Sequence, residues 1–197
     1  MNKIITFLVI ASTFLYSPLL FADSNKFYIG GGGSYAIENF DTDTNFDNTW
    51  GINAKVGYRA HELLSLEFNF DYLDKFEGDD RFTLSGANVD SDVEVTVYTF
   101  MLALKGYQPV YSEKLMFFVV AGGGIIYFDA DTKISGAGDS ISDSQDEADG
   151  CAKIGLGFDF FPIKNFSAGI EGNYTLGFGD ADDIRYFNFT LGVAYHF

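Results

Sequence analysis

Two histidines and one cysteine are the side chains of this sequence best suited to catalysis. His61 and His196 could act as general bases, and Cys151 could act as a nucleophile. Both histidines map to the same end of the predicted strands, His61 in a turn and His196 on the last strand. A base is therefore missing where a surface nucleophile would need it. We interpret His196 and Cys151 as residues that fill the protein interior, and the sequence predicts no catalytic residues and no enzyme.

The stretch DTDTNFD resembles the start of a calcium-binding loop. From Asp41 onward it places a carboxylate or an amide on four alternate positions. An EF-hand would also need glycine at the sixth position and glutamate at the twelfth, where Phe46 and Ile52 stand. We therefore predict no dedicated metal site. Loosely bound divalent cations are expected, because 19 of the 28 acidic residues fall in four long predicted loops.

The glycine run in IGGGGSYAI can be matched to a dinucleotide fingerprint through Gly31, Gly33 and Ala36. That fingerprint requires a helix directly after the glycines. Here the sequence continues as a strand and then an acidic loop. We interpret the glycines as positions that relieve side-chain crowding in a small interior enclosed by strands. We predict no cofactor.

Eight charged side chains fall on the polar faces of alternating segments, four of each sign. Buried charges are tolerated when they are paired, so a closed interior held by ion pairs is expected. Hairpin register brings Lys55 close to Glu67 or Asp71, and Lys153 close to Glu171. The alternative is a gated polar channel. The predicted interior ion-pair set is Lys55, Arg59, Glu67, Asp71, Lys105, Lys153, Asp159 and Glu171.

Those charges are carried by eight segments in which apolar and polar residues alternate, the pattern of strands with two unlike faces. The segment LMFFVVAGGGIIYF is apolar on both faces, so its inward face is left open. The connections between segments are alternately long and short: 39–48, 74–92, 129–150 and 177–184 are long, and 60–63, 107–114 and 161–165 are short. The segments are 27–37, 50–59, 64–72, 97–107, 115–128, 152–160, 166–176 and 188–197.

The apolar faces fit lipid better than a protein core. Each holds about five residues in a strand of roughly ten, which matches a tilted membrane strand. Trp50, Tyr58, Tyr72, Tyr98 and Tyr195 fall near the ends of these faces, as aromatic girdles do. The last strand must pair with the first to leave no open edge in hydrocarbon. The predicted fold is all-β, an eight-stranded antiparallel up-and-down transmembrane β-barrel.

The N-terminus has the layout of a secretory signal peptide, with Lys3, an apolar run and a small residue at Ala22. We expect a signal peptide over residues 1–22 and the barrel domain over 23–197; the alternative is a membrane anchor. The formal charge of −16 becomes −17 when Lys3 is removed. Such acidity argues against nucleic-acid binding, which needs a basic patch. One cysteine allows no internal disulfide.

The segments KVGYR, LSLEFNFDY, VAGGGIIYF, KIGLGFDF, FSAGIEGNYTLG and LGVAYHF resemble the small eight-stranded outer-membrane barrels of Gram-negative bacteria, the opacity-protein and OmpA-like group. The resemblance implies export to the outer membrane, contact with its lipid and lipopolysaccharide, and a monomer. It also implies that the barrel-assembly machinery reads the alternating end of the chain, Phe189, Leu191, Val193, Tyr195 and Phe197. We expect a structural or surface-interaction role through long acidic extracellular loops. The alternative is a narrow channel for small solutes.

Overall fold

The computed structural model describes residues 26–40, 46–84, 87–111, 114–136 and 139–197, with the backbone alone for 79–84, 87–92, 111, 132–136 and 139–146. The predicted signal peptide lies outside the described residues. Among the described residues, no helix is long and apolar enough to cross a bilayer. The strands are β1 Phe27–Glu38, β2 Thr49–His61, β3 Leu64–Leu84, β4 Ala87–Tyr111, β5 Leu115–Gly136, β6 Asp139–Ile163, β7 Phe166–Gly177 and β8 Arg185–His196, with a 3-10 helix at Gly179–Ala181.

The eight strands close into a ring. Each pairs antiparallel with the next in sequence, and β8 pairs back with β1. At this seam Tyr28 lies opposite His196, and the backbones of Phe27 and Phe197 exchange two hydrogen bonds of 3.2 and 2.9 Å. Closure satisfies the backbone groups that an open edge would leave unpaired in lipid. The predicted eight-stranded antiparallel barrel is confirmed.

The two faces of the strands differ as the alternation predicts. Outward side chains are apolar and exposed, with Trp50 at 70% and Leu191 at 71%, whereas Glu67 and Lys105 inside the ring are at 0% and 1%. This is the reverse of a water-soluble protein and suits a barrel surrounded by hydrocarbon. The structure also shows which face of β5 points inward: Met116, Phe118, Val120 and Ile126 are buried in the lumen.

Strands β3 to β6 are longer than the alternation predicts. The regions 74–92 and 129–150, expected as loops, are mostly paired backbone: β3 and β4 pair as far as Leu84 and Ala87, and β5 and β6 as far as Gly136 and Asp139. Acidic residues have low β-propensity, but cross-strand pairing overrides that preference. We call the end of the barrel with these extensions the hairpin end, and the opposite end, with the short connections 62–63, 112–114 and 164–165, the turn end.

Candidate functional site in the barrel lumen

Lys105 is the centre of an ion-pair network inside the barrel. Its Nζ lies 3.0 Å from Oδ2 of Asp159 and 3.6 Å from Oε1 of Glu67. Glu67 stands on the neighbouring strand β3, whereas Asp159 stands on β6, so the amine joins strands that do not pair with each other. The Nζ also lies 3.5 Å from the ring centroid of Phe118, a cation–π contact. One buried cation therefore compensates two buried carboxylates.

Two tyrosine hydroxyls add hydrogen bonds to the same carboxylates. Tyr28 donates to Oε1 of Glu67 at 2.5 Å, and Tyr107 donates to Oδ2 of Asp159 at 3.2 Å. The ring of Tyr28 passes directly over Gly57, where a Cβ would lie 2.1 Å from the tyrosine Cζ. Glycine at position 57 therefore makes room for the ring that reaches Glu67.

A second charged group lies nearer the hairpin end. Nζ of Lys153 is 3.6 Å from Oε1 of Glu171, the partner that hairpin register predicts for it. Asp71 accepts hydrogen bonds from Nδ2 of Asn53 at 2.8 Å and from Oγ1 of Thr99 at 3.2 Å. Neutral donors thus satisfy Asp71, and the lumen at this level is filled by hydrogen-bonded polar side chains.

Lys55 and Arg59 do not have the partners that the sequence predicts. Within the described residues, no carboxylate oxygen lies within 4.0 Å of Lys55. Glu67 forms an ion pair with Lys105 instead, and Asp71 accepts hydrogen bonds from neutral side chains. The guanidinium of Arg59 lies 4.7 Å from the ring centroid of Tyr107 and 5.2 Å from that of Phe161. The turn end of the lumen therefore holds two cations without a carboxylate in contact.

The side chains suited to catalysis lie apart from one another. Nε2 of His196 is 2.9 Å from Oγ of Ser167, but both residues are enclosed in the lumen, at 3% and 5% exposure, away from lipid. Cys151 is buried at 3% on the inward face of β6. His61 is the exposed last residue of β2, where its Nδ1 accepts a hydrogen bond from the backbone N–H of Leu63 in the following turn.

Sequence reasoning missed an apolar cluster that fills the lumen at the hairpin end. Phe76 is at its centre, fully buried, with ring centroids 5.0 Å from Phe40 and 6.3 Å from Tyr186. A register shift between Leu73 and Phe76 turns both side chains inward, although strict alternation would put them on opposite faces. We call this set the outer apolar cluster: Ala36, Leu73, Phe76, Val95, Val97, Met101, Ile126, Cys151, Ala181, Ile184 and Tyr186, with Phe40, Phe46, Val93, Phe128 and Ala130 packed against it.

The closed ring of eight strands has an apolar outer face and a filled lumen. Residues 7–197 match the family described as outer membrane protein beta-barrel domain. The chain belongs to this family. It is an outer-membrane β-barrel protein of Gram-negative type. The predicted family and location are confirmed, and the specific role is the subject of the proposals below.

Solved outer-membrane barrels have the same fold. Ail, the attachment invasion locus protein of Yersinia pestis, superimposes with a TM-score of 0.55 at 20% identity, covering 88% of this chain and 99% of Ail. Neisserial surface protein A superimposes with a TM-score of 0.60 at 11% identity, covering 87% of this chain and 97% of that protein. At these identities the likeness establishes the fold.

A curated relative is similar in sequence over most of this chain. The uncharacterized protein YaiT of Salmonella typhimurium is 28% identical in an alignment of 199 positions that covers 93% of this chain and 20% of YaiT. The chain therefore spans about a fifth of the length of YaiT.

The contact between Gly57 and Tyr28 gives a prediction for this outer-membrane barrel. Gly57→Ala should lower the free energy of unfolding by about 1–3 kcal/mol, because the new methyl group displaces the Tyr28 ring from a full lumen. Gly33→Ala is the matched control, since a Cβ at position 33 meets no atom within 4 Å. Urea unfolding in lipid vesicles measures both. Equal stability of the two variants would contradict the assignment of Gly57 to the Tyr28 ring.

Proposed function

We propose that the protein has a structural and surface-interaction role in the outer membrane, acting through the part of the sheet that extends beyond the barrel ring. The observation that carries this proposal is the length of β3 to β6. Strand β2 pairs with β3 only as far as Leu73, and β7 pairs with β6 only from Cys151 onward. Beyond these points β3 to β6 continue as a four-stranded sheet, which we call the hairpin sheet.

The chemistry of the hairpin sheet supports an interaction with cations. Regions 74–92 and 129–150 contain 13 of the 28 acidic residues and three basic ones, Lys75, Arg81 and Lys133. Lys75 is already paired with Glu94 across β3 and β4, and this hydrogen bond raises the pKa of its amine. The hairpin sheet therefore has a strongly negative net charge, which we place at the membrane surface.

Divalent cations are the ligands that this charge favours, since they prefer carboxylate oxygens. Lipopolysaccharide is anionic as well, so a divalent cation held between the two would offset their repulsion. We propose that the hairpin sheet contacts neighbouring lipopolysaccharide in this way, with the barrel acting as a monomer and without enzymatic activity. Residues 41–45 of the predicted acidic loop 39–48 lie outside the described residues.

The test uses the protein refolded into vesicles with and without lipopolysaccharide. Trypsin cleavage within the hairpin sheet should be slower when lipopolysaccharide and Mg²⁺ are both present, and EDTA should restore it. A variant with Asp79, Asp80, Asp90 and Asp92 changed to Asn should lose the protection. Cleavage rates that do not change when Mg²⁺ and lipopolysaccharide are added would overturn the cation-bridging proposal.

A narrow channel is the second candidate, and one observation favours it. A small cavity lies inside the lumen beside Lys55, which is only half-buried. A water path from the turn end would still have to pass the Lys105 network and the outer apolar cluster. The packing of both groups supports the structural role over the channel.

We also propose that the outward face of β8 is the segment read by the assembly machinery. Its five alternating side chains are between 47% and 71% exposed: Phe189, Leu191, Val193, Tyr195 and Phe197. They make no contribution to the lumen, so their apolar and aromatic character is available for recognition from outside the ring.

A further inference from the structure

The small cavity in the turn half of the lumen has a wall built for a compact ligand. Gly169, Gly192 and Ala194 form one side, where β7 and β8 carry almost no side-chain volume. Apart from Val193, the other lining residues have polar side chains: Tyr28, Lys55, Lys105, Tyr107, Asp159, Ser167 and His196. The space accommodates about one water-sized particle. A monatomic ion fits it, whereas a phosphate or a sugar does not.

The balance of charge around the cavity is positive. The carboxylates at this level, Glu67 and Asp159, are both in contact with Lys105. Lys55 and Lys105 line the cavity, and the guanidinium of Arg59 lies beside it, over the ring of the lining residue Tyr107, so three positive groups stand at this level against two negative ones. Among the described residues Lys55 has no carboxylate within 4.0 Å, and Nε and Nη2 of Arg59 are buried without a hydrogen-bond partner. Lys55 and Arg59 are half-buried, and a partly buried excess of positive charge is costly unless an anion offsets it.

The hydrogen-bond donors around the cavity point to the same ligand. Oδ2 of Asp159 accepts from Lys105 and Tyr107, and Oε1 of Glu67 accepts from Tyr28, whereas Oε2 of Glu67 is buried without a hydrogen-bond partner. Among the described residues, the ammonium of Lys55 is the cavity-lining cation that has no carboxylate in contact. The Ser167 hydroxyl and the His196 ring share one hydrogen bond. When Nε2 of His196 carries the ring proton, Ser167 accepts this bond and its own O–H is free to donate into the cavity, so this is the tautomer that an anion site requires.

We propose that this cavity binds a single halide-sized anion, with the Lys55 ammonium as its main ligand and Ser167 as a neutral donor. Chloride is the physiological ion of this size and charge. The bound anion would bring the charges at this level into balance, and the half-buried position of Lys55 would let the ion enter from the turn end. This inference is independent of the role of the hairpin sheet.

The test is anomalous diffraction from crystals of the refolded full chain soaked in sodium bromide. We expect one bromide peak in the cavity within contact distance of Nζ of Lys55. Lys55→Met should abolish the peak, and Lys164→Met, which removes an exposed lysine of the turn end, should retain it. Absence of bromide from the wild-type cavity, or an unchanged peak in Lys55→Met, would overturn the proposal.

A solution measurement covers the case in which Lys55→Met does not refold. The melting temperature of the wild type should be higher in chloride than in gluconate at equal ionic strength, because gluconate is too large for the cavity. Ser167→Ala keeps every charge and should weaken chloride binding about tenfold, the effect of losing one hydrogen bond to a charged group. Equal melting temperatures of the wild type in the two salts, or unchanged chloride affinity in Ser167→Ala, would contradict the assigned site.

Discussion

Lys105→Met should lower the free energy of unfolding of this barrel by about 3–5 kcal/mol, because it leaves two buried carboxylates without their cation. The Lys105 side chain is 1% exposed and contacts both Glu67 and Asp159. Methionine keeps most of the volume and the contact with the Phe118 ring, so the loss measures charge compensation rather than packing. Equilibrium unfolding in urea, followed by tryptophan fluorescence in lipid vesicles, gives the value.

Two further variants separate this effect from a general loss of positive charge. Lys164→Met removes an exposed lysine and should change stability by less than about 0.5 kcal/mol. Adding Glu67→Gln and Asp159→Asn to Lys105→Met should recover part of the loss, since no uncompensated charge is then left inside. A Lys105→Met variant as stable as Lys164→Met would contradict the central place of Lys105 in the lumen.

Phe76→Ala should lower the free energy of unfolding by about 3–5 kcal/mol, the cost of removing a large aromatic side chain from a packed interior. Phe76 is fully buried and contacts rings from the β1–β2 connection and from β8. Its removal should also loosen the outer apolar cluster. We therefore expect brief current events in planar bilayers that the wild type does not show.

Phe178→Ala is the matched control for Phe76→Ala. Phe178 lies at the same end of the molecule but is 48% exposed, so its removal should leave the lumen filled. If Phe76→Ala matches this control in both stability and current, the outer apolar cluster does not close the barrel.

The alternation of side chains predicted the parts of the structure that depend on sequence-local geometry. Successive side chains of a strand point to opposite faces, so Glu67 and Lys153 could be assigned to the lumen and Trp50 to the outside without knowing any contact. Strand number and ring closure followed from the count of such segments. The inward face of β5 could not be predicted, because Val119 and Val120 are equally apolar.

The contacts inside the lumen could not be predicted in the same way. Pairing of Lys105 with Asp159 joins β4 to β6, and such contacts depend on the tilt and stagger of the whole ring rather than on one hairpin. Register alone favoured Lys55 as the partner of Glu67 or Asp71, but Lys105, on the strand that pairs with the other edge of β3, contacts Glu67 instead. Only Lys153 and Glu171, on paired strands, were both predicted and found in contact.

The outer apolar cluster and the hairpin sheet were missed for two further reasons. The register shift before Phe76 breaks the alternation that the sequence reading relies on. Valines on alternate positions, such as Val93, Val95 and Val97, indicate that β4 begins before residue 97, but the acidic residues that precede them favour the predicted loop 74–92. Backbone pairing across β3 to β6 sustains these strands despite their composition.

We infer that the Lys105 network and the outer apolar cluster close the lumen, and the conductance of the wild-type protein in planar bilayers measures whether they do. An interior enclosed by eight strands is just wide enough for side chains to fill. We expect no steady current from the refolded wild type at neutral pH, measured beside the Phe76→Ala variant to show that inserted protein can be detected. A stable, ion-selective conductance from the wild type would contradict this inference and make the channel the function of the barrel.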